Sequence, residues 1–236
     1  MTTAAASITS AETAPKPAMS EVEAAAIVIE TITQMAQEQK PLMLRVVPED
    51  GATFWTHYPK SDARDKFCKS RWYYHVHAPG NRDTDEHGHF HLFLHRTQLP
   101  EGLEPKVWPP QGEDARAHVT HLIALSIDTN GIPHSWFTTN RFVTNEFLYP
   151  ADVMIEHLPD FSVDHTQEDD LVNRFVTAMV ALYREEIAQL LRARDQRQAE
   201  LVAEYGVDAY AKESGVEVLG QIAIDLDAKL GSLDLE

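Results

Sequence analysis

The clearest pattern in the chain is a two-residue alternation of apolar and polar positions over residues 72–95. Neighbouring side chains of a β-strand point to opposite faces of a sheet, so this alternation predicts two strands. The apolar residues fall on even positions: Trp72, Tyr74, Val76, Phe90, Leu92 and Leu94. If both rows face one core, the strands form an antiparallel hairpin, and we expect residue 77 to face 87, 75 to face 89 and 73 to face 91.

Further strands are predicted on either side of this hairpin. Residues 121–140 read as a second hairpin, because Asn130-Gly131 between two β-rich runs is typical of a type I′ turn. PLMLRVV, residues 41–47, predicts a short strand, and the stretch from 216 to 230 predicts a helix end and one more short strand. Residues 99–118 contain too many prolines for a central strand. The expected product is an antiparallel sheet of four or five strands.

Helical spacing appears at both ends of the chain. Ser20 and Glu23 form a capping-box pattern ahead of a helix that Pro41 ends. The expected apolar stripe of this helix is Val22, Ile27, Ile29, Ile32 and Met35. A Thr166-x-x-Asp169 cap and helically spaced apolar residues predict a long C-terminal helix at about 167–205.

The apolar stripe of that C-terminal helix lapses at 192–200, which we interpret as a solvated segment. The alternative is a surface for a partner or for a homo-oligomer. The predicted fold is α+β: a small antiparallel sheet of two hairpins, packed by an N-terminal helix and a long C-terminal helix.

Composition narrows the class of protein. The chain has 236 residues and is 43% hydrophobic, which suits a single domain at 20–236 after an Ala/Thr/Ser/Pro-rich leader at 1–19 that we expect to be disordered. The 37 acidic and 20 basic residues give a net charge of −17, which disfavours nucleic acid and anionic membrane surfaces as partners. Cys68 is the single cysteine, so an internal disulfide is excluded. The absence of a long apolar run or a secretory signal pattern predicts a cytoplasmic protein.

The odd positions of the first hairpin carry the candidate chemistry. They hold Tyr73, His75, His77, His87, His89, His91, Phe93 and His95. The register that joins the apolar rows also brings the histidines together, with facing Cβ atoms about 5 Å apart. We therefore predict a metal site made from His75, His77, His87, His89 and His91, with His95 as a spectator. Imidazole and carboxylate ligands without thiolate suit Fe, Zn, Mn, Ni or Cu.

Neighbouring residues complete the predicted site. Asp83, Asp85 and Glu86 lie in the connecting loop and offer a carboxylate, either as a ligand or to orient an imidazole. Glu86 and His89 are the candidates for acid–base catalysis. The candidates for substrate binding are His57, Tyr73, Asn140 and Arg141. The remaining histidines are expected to be structural or exposed: His118, His121, His134, His157 and His165.

Two other interpretations of the histidines remain open. Antiparallel sheets often expose one face to water, and that face tolerates histidine. HGHFHLF, residues 87–93, also resembles the histidine-triad motif of nucleotide hydrolases and transferases, although Gly88 stands where that motif has an apolar residue. The resemblance implies that His89 is a nucleophile supported by His87 and His91. HVH at 75–77 has the first step of a cupin motif but lacks the glutamate that should follow.

Five short patches of the chain resemble a bacterial family of domains of unknown function. They are WTHYP at 55–59, YYHVH at 73–77, EHGHFH at 86–91, FTTNRFVT at 137–144 and IDLDA at 224–228. The resemblance implies that these patches belong to one domain, and it brings no activity. From the residues alone, we expect a metal-dependent enzyme that acts on a small polar substrate by hydrolysis or oxidation. The alternatives are the histidine-triad nucleotide enzyme and a non-catalytic protein that binds a metal or a partner.

Overall fold

The computed structural model describes residues 18–78, 80, 85–115, 117–208, 212 and 214–233. The expected disordered leader, 1–19, lies outside these residues except for its last two, and Asp83 also lies outside them. The strands are β1 (Tyr58–Arg64), β2 (Arg71–His75), β3 (Glu86–His95), β4 (Val119–Asp128), β5 (Pro133–Thr139) and β6 (Val218–Ala223). The helices are α1 (Glu21–Gln37), α2 (Leu42–Val46), α3 (Arg141–Thr144), α4 (Ala151–Glu156), α5 (Asp170–Leu182), α6 (Arg184–Tyr205) and α7 (Leu226–Gly231). Short 3₁₀ turns lie at Arg96–Gln98, Gly112–Asp114 and Leu158–Asp160.

The described strands form one antiparallel sheet in the order β1-β2-β3-β4-β5-β6. The predicted α+β class is confirmed, and the sheet has six strands where four or five were expected. β1 supplies one additional strand, in a segment for which the sequence pattern predicts no strand. Its pairing with β2 is irregular between Tyr58 and Ala63, which explains the weak alternation in its sequence.

The predicted register of the first hairpin is confirmed at two pairs: Tyr73 faces His91 and His75 faces His89. The predicted core row is confirmed as well, because Trp72, Tyr74 and Phe90 are buried in the main hydrophobic cluster. This cluster also contains residues of α1, α5 and α6, so the helices cover the even-numbered face of the hairpin. The histidine row lies on the other face, beside a small cluster of Tyr73, Phe93 and Val119.

The capping box of α1 is confirmed, since Ser20 Oγ accepts from the Glu23 backbone N–H and the Glu23 carboxylate accepts from the Ser20 N–H. The expected apolar stripe is wrong for most of its members. Val22, Ile29 and Ile32 are each more than 40% exposed. The buried face is instead made of small and β-branched residues with one methionine: Ala24, Ala25, Val28, Thr31 and Met35. Small side chains at this face let α1 approach α5 closely, and this contact decides the orientation of the helix.

The predicted strand at 41–47 is wrong, because Leu42–Val46 forms the short helix α2. The contacts of Arg45 explain why this segment is helical rather than extended. Its guanidinium donates to the Lys40 carbonyl and forms ion pairs with Glu38 and Asp169, and its side chain is only 5% exposed. These contacts hold a helical turn that a short apolar run alone does not specify.

The predicted continuous helix at 167–205 is wrong in two respects. Asp169, rather than Thr166, caps α5, because its carboxylate accepts the backbone N–H groups of Leu171 and Val172. The helix also breaks at Tyr183, whose backbone (φ −109°, ψ 27°) separates α5 from α6. Nothing in the apolar spacing marks this break, since Leu182 and Ile187 on either side of it are both buried.

The interpretation of 192–200 as a solvated segment is also wrong for its key residues. Arg194 and Gln198 are 3% and 2% exposed. The Arg194 guanidinium donates to the Tyr149 carbonyl and to Asp195, so a buried charge replaces the missing apolar side chain.

The second hairpin is confirmed, but its turn is not type I′. Gly131 has a φ of +83°, whereas Asn130 does not have the positive φ that a type I′ turn requires. The connection has four residues, 129–132, and the Gly131 N–H donates to the Asp128 carbonyl. Among the described helices, none combines the length and apolarity that a membrane crossing requires.

Candidate metal centre

Three imidazoles converge on the face of the sheet opposite the helices. His75 lies on β2 and His89 and His91 lie on β3, and each offers a nitrogen such that all three nitrogens lie within 4.8 Å of one another. His75, His89 and His91 are 9%, 2% and 1% exposed, respectively. A buried group of three histidines with this spacing could hold a metal ion.

The nitrogen distances are close to those of ligands on one ion. His75 Nε2 lies 2.7 Å from His89 Nε2 and 3.2 Å from His77 Nε2, which comes from just beyond the end of β2. Two ligands on a tetrahedral ion at about 2.0–2.1 Å are roughly 3.3 Å apart. The His75–His77 pair already has this separation, and the His75–His89 pair needs a small widening.

Glu86 contacts the Nδ1 side of the His89 ring, opposite the nitrogen that faces His75. One carboxylate oxygen of Glu86 lies 2.8 Å from His89 Nδ1, and the other accepts a hydrogen bond from Ser126 Oγ at 2.6 Å. The carboxylate therefore keeps the proton of His89 on Nδ1, which leaves the lone pair on Nε2, the atom that faces His75. Histidines that bind a metal usually donate their other ring N–H to a carboxylate in this way.

His87 does not join the other histidines. The pairing of β3 with β4 shifts between Glu86 and Gly88, so His87 is an extra residue in β3. Its Nδ1 lies 2.7 Å from the hydroxyl of Tyr74, a member of the main core row. The same irregularity places Glu86 on the histidine face, where strict alternation expects His87.

His121 joins the cluster although the sequence pattern assigns it no role. Strict alternation along β4 puts it on the same face as Ile123 and Leu125, which belong to the main core. The register between β3 and β4 shifts again, however, so that Leu92 faces Ile123 while Phe93 faces His121. Leu122 is the extra residue, and His121 turns to the histidine face, where its Nε2 lies 2.9 Å from His91 Nδ1.

That contact occupies one nitrogen of His91 and leaves the other for a ligand. His91 Nε2 is buried and has no hydrogen-bond partner among the described residues. A buried nitrogen without a partner is costly unless something binds it. His91 therefore has the donor atom and the supporting histidine that a metal ligand needs.

Three histidines of the cluster, His75, His91 and His121, have lowered pKa values and are neutral near physiological pH. Burial lowers the pKa of His75 to about 2, with further lowering by His89 and His77. Burial also lowers the pKa of His91 well below its ordinary value, assisted by His89 and His121. The pKa of His121 falls to about 3, again through burial first and then through Arg194. Neutral imidazoles keep a free lone pair, which is the form that binds a metal.

A cavity of about 360 Å³ opens above these histidines. His75, His77, His89 and His91 line one part of it, together with Trp55, His57 and Tyr73. The other lining residues come from β5, α3, the first residue of β6 and the residue before it: Phe137, Thr139, Phe142, Val143, Glu217 and Val218. Apart from Tyr73 and His57, the sequence pattern does not identify the lining residues outside the histidine row, because their segments meet only through the sheet and the turn after β5.

The predicted substrate-binding residues divide into two groups. His57 and Tyr73 lie at the cavity, with their rings stacked 3.7 Å apart and His57 Nδ1 3.6 Å from Asp62. Asn140 is fully buried, accepts the Arg141 backbone N–H and donates to the Val216 carbonyl. The Arg141 guanidinium donates to the Trp108 carbonyl and lines a separate cavity of only about 20 Å³. The structure therefore does not bring Asn140 or Arg141 into the lining of the larger cavity.

Comparison with known families identifies the family of this chain. Residues 22–224 match the family described as Domain of unknown function (DUF6969), and the chain belongs to that family. The expected relationship to an uncharacterised family is thereby confirmed, and the family has no established activity. A search of curated proteins and a search of solved structures each gave no significant match.

Proposed function

We propose that this member of an uncharacterised family is a metal-dependent enzyme with one divalent transition metal on His75, His89 and His91. The observation that carries the proposal is the convergence of three buried imidazole nitrogens on the floor of a cavity that small molecules can enter. Catalytic metal sites keep three protein ligands and one open position, whereas structural sites are closed. His77 lies next to His75 and lines the cavity. It serves either as a fourth ligand or as a hydrogen-bonding group for substrate.

The residues around the cluster have separable roles in this proposal. Glu86 and His121 position His89 and His91, because each contacts the Nδ1 atom of its histidine and leaves Nε2 for the metal. His57, Tyr73 and Trp55 contact the substrate from the rim. When bound, the metal supplies Lewis acidity for hydrolysis or a redox couple for oxidation. Fe, Zn, Mn, Ni and Cu all accept these ligands.

The geometry gives less support to the histidine-triad interpretation. That mechanism needs His87 beside the nucleophile His89, whereas His87 contacts Tyr74 and His89 Nε2 lies against His75. A non-catalytic metal-binding protein is the remaining alternative. Such a protein would bind the ion, but no substrate would reach the ion.

Metal content is the direct test of the proposal. We expect untagged protein, expressed with each candidate metal in the medium, to purify with about one equivalent of one transition metal per chain. Inductively coupled plasma mass spectrometry measures the content, and dialysis against a chelator followed by titration measures the affinity. Less than about a tenth of an equivalent, together with no binding by the chelated protein, would contradict the proposal.

Replacing Glu86 by glutamine tests its positioning role. Glu86→Gln keeps the size of the side chain but removes the charge that holds the proton on His89 Nδ1, so metal affinity is expected to fall roughly 10–100-fold. Competition with a chromophoric chelator measures the change. Glu113→Gln is the matched control, because Glu113 is 65% exposed and pairs only with Arg96 among the described residues. Equal affinities for the two variants would remove Glu86 from the site.

A further inference from the structure

We propose that the cavity takes a substrate in two parts: a polar head that reaches the histidines, and a flat apolar or aromatic arm that carries no negative charge. This inference rests on the proposed metal centre and adds the chemical class of its substrate. It replaces the sequence-based expectation that Arg141 and Asn140 contact the substrate.

The cavity has a histidine floor and a mostly apolar remaining lining. Phe137, Phe142, Val143 and Val218 contribute aliphatic and aromatic side chains to this lining. Phe137 also packs edge-on against His89, with ring centroids 5.0 Å apart, so the apolar wall begins directly beside the floor. A volume of about 360 Å³ lies at the lower end of the range for small-ligand sites. The polar head of a ligand therefore meets the histidines at the floor, and the rest of the ligand meets mostly apolar surface, with Thr139 and Glu217 as polar exceptions.

Trp55 presents a large aromatic ring at the opposite rim. Its indole lies 4.2 Å from the ring of His77, yet the residue is 55% exposed. Its φ is +65°, a conformation that only a few per cent of non-glycine residues adopt. The Trp55 backbone N–H donates to the Val76 carbonyl, which ties this conformation to the strand that carries the histidines. A strained backbone that holds an exposed aromatic ring over a cavity points to ligand binding by that ring.

The charged residues of the cavity lining disfavour a ligand whose arm carries a negative charge. The described residues that line the cavity include no lysine or arginine. They do include Glu217, which contributes a carboxylate. Arg141, the nearest candidate from the sequence, lines the separate small cavity instead. A negative arm would meet the Glu217 carboxylate and the electron-rich face of Trp55, whereas a cationic arm is attracted by both.

Four hydroxamic acids test the inference by isothermal titration calorimetry on the metal-loaded protein. Acetohydroxamic acid has the metal-binding head alone, benzohydroxamic acid adds an aryl arm, and the 4-carboxy and 4-aminomethyl derivatives add opposite charges. Benzohydroxamic acid is expected to bind about tenfold or more tightly than acetohydroxamic acid, because it buries its ring against apolar surface. The 4-aminomethyl derivative is expected to bind at least about tenfold more tightly than the 4-carboxy derivative.

Variants assign these differences to residues. Trp55→Gly suits the positive φ and removes the ring, so the protein should fold normally while benzohydroxamic acid loses most of its advantage over acetohydroxamic acid. Phe54→Ala is the control, because Phe54 is 49% exposed and does not line the cavity. Glu217→Gln should narrow the gap between the two charged derivatives and leave acetohydroxamic acid unchanged.

The outcomes separate this inference from the proposed function. If acetohydroxamic acid binds but the aryl arm brings no gain, or if the 4-carboxy derivative binds most tightly, the substrate class is wrong and the metal centre stands. If the protein takes up no metal, both proposals are overturned.

Discussion

Replacing His89 with alanine is expected to reduce the metal content of the protein from about one equivalent to below about 0.1. His89 contributes the nitrogen nearest to His75, at 2.7 Å, and it connects the cluster to the buried Glu86 carboxylate. Loss of a residue behind a ligand costs roughly 10–100-fold in metal affinity, and loss of the ligand itself is expected to cost more. Mass spectrometry of the metal-loaded protein and titration of the chelated protein measure both quantities.

His87→Ala is the matched control for this experiment. His87 is two residues away on the same strand and belongs to the same sequence motif, but it contacts Tyr74 on the other side of the strand. We expect this variant to keep its metal. The loss of metal from His87→Ala together with retention in His89→Ala would show that His87, rather than His89, is a metal ligand and would contradict the proposed centre. Far-ultraviolet circular dichroism of the metal-free proteins checks that both variants are folded.

Replacing Gly88 with alanine is expected to destabilise the protein by about 3 kcal/mol and to weaken metal binding in the same variant. A Cβ atom at residue 88 would lie 2.4 Å from the His75 carbonyl oxygen and 2.6 Å from the Tyr74 hydroxyl. The first of these atoms is backbone, so the clash is relieved only if β2 and β3 move apart. Such a movement increases the separation of His75 and His89, which face each other across this pair of strands.

Thermal unfolding measures the effect on stability. For a chain of this length, 3 kcal/mol corresponds to a fall in Tm of roughly 6–12 °C. Gly231→Ala in α7 is the control, because a Cβ there meets no atom within 4 Å and the residue does not have a positive φ. We expect that variant to be neutral or slightly more stable. An unchanged Tm and metal affinity in Gly88→Ala would contradict the close approach of the two strands at this point.

The position of Gly88 also bears on the resemblance to the histidine-triad motif. That motif has an apolar side chain where this chain has glycine, and the structure leaves no room for one. Glycine at position 88 therefore allows β2 and β3 to pair as closely as they do in this chain. It permits the irregular pairing that turns His87 away and turns Glu86 inward.

Much of the fold was predictable because local patterns specify it. The capping box of α1 uses atoms three residues apart, and the register of the first hairpin follows from the need to bury both apolar rows together. The unsuccessful predictions concern longer-range contacts. The helical turn at 42–46 depends on the ion pair between Arg45 and Asp169, and the buried face of α1 depends on its contact with α5.

The two-residue alternation was sufficient to predict that His75, His89 and His91 share one face, because burying both apolar rows together places these three histidines on the opposite side. The identity of the other polar residues in the cluster depends on how β3 pairs with β4. Two irregularities in the pairing of β3 with β4 replace His87 with Glu86 and add His121, and each inserts one residue without changing the pattern of apolar and polar positions. The cavity was likewise a tertiary outcome, because Trp55, Phe142 and Glu217 meet above the histidines from segments far apart in the chain.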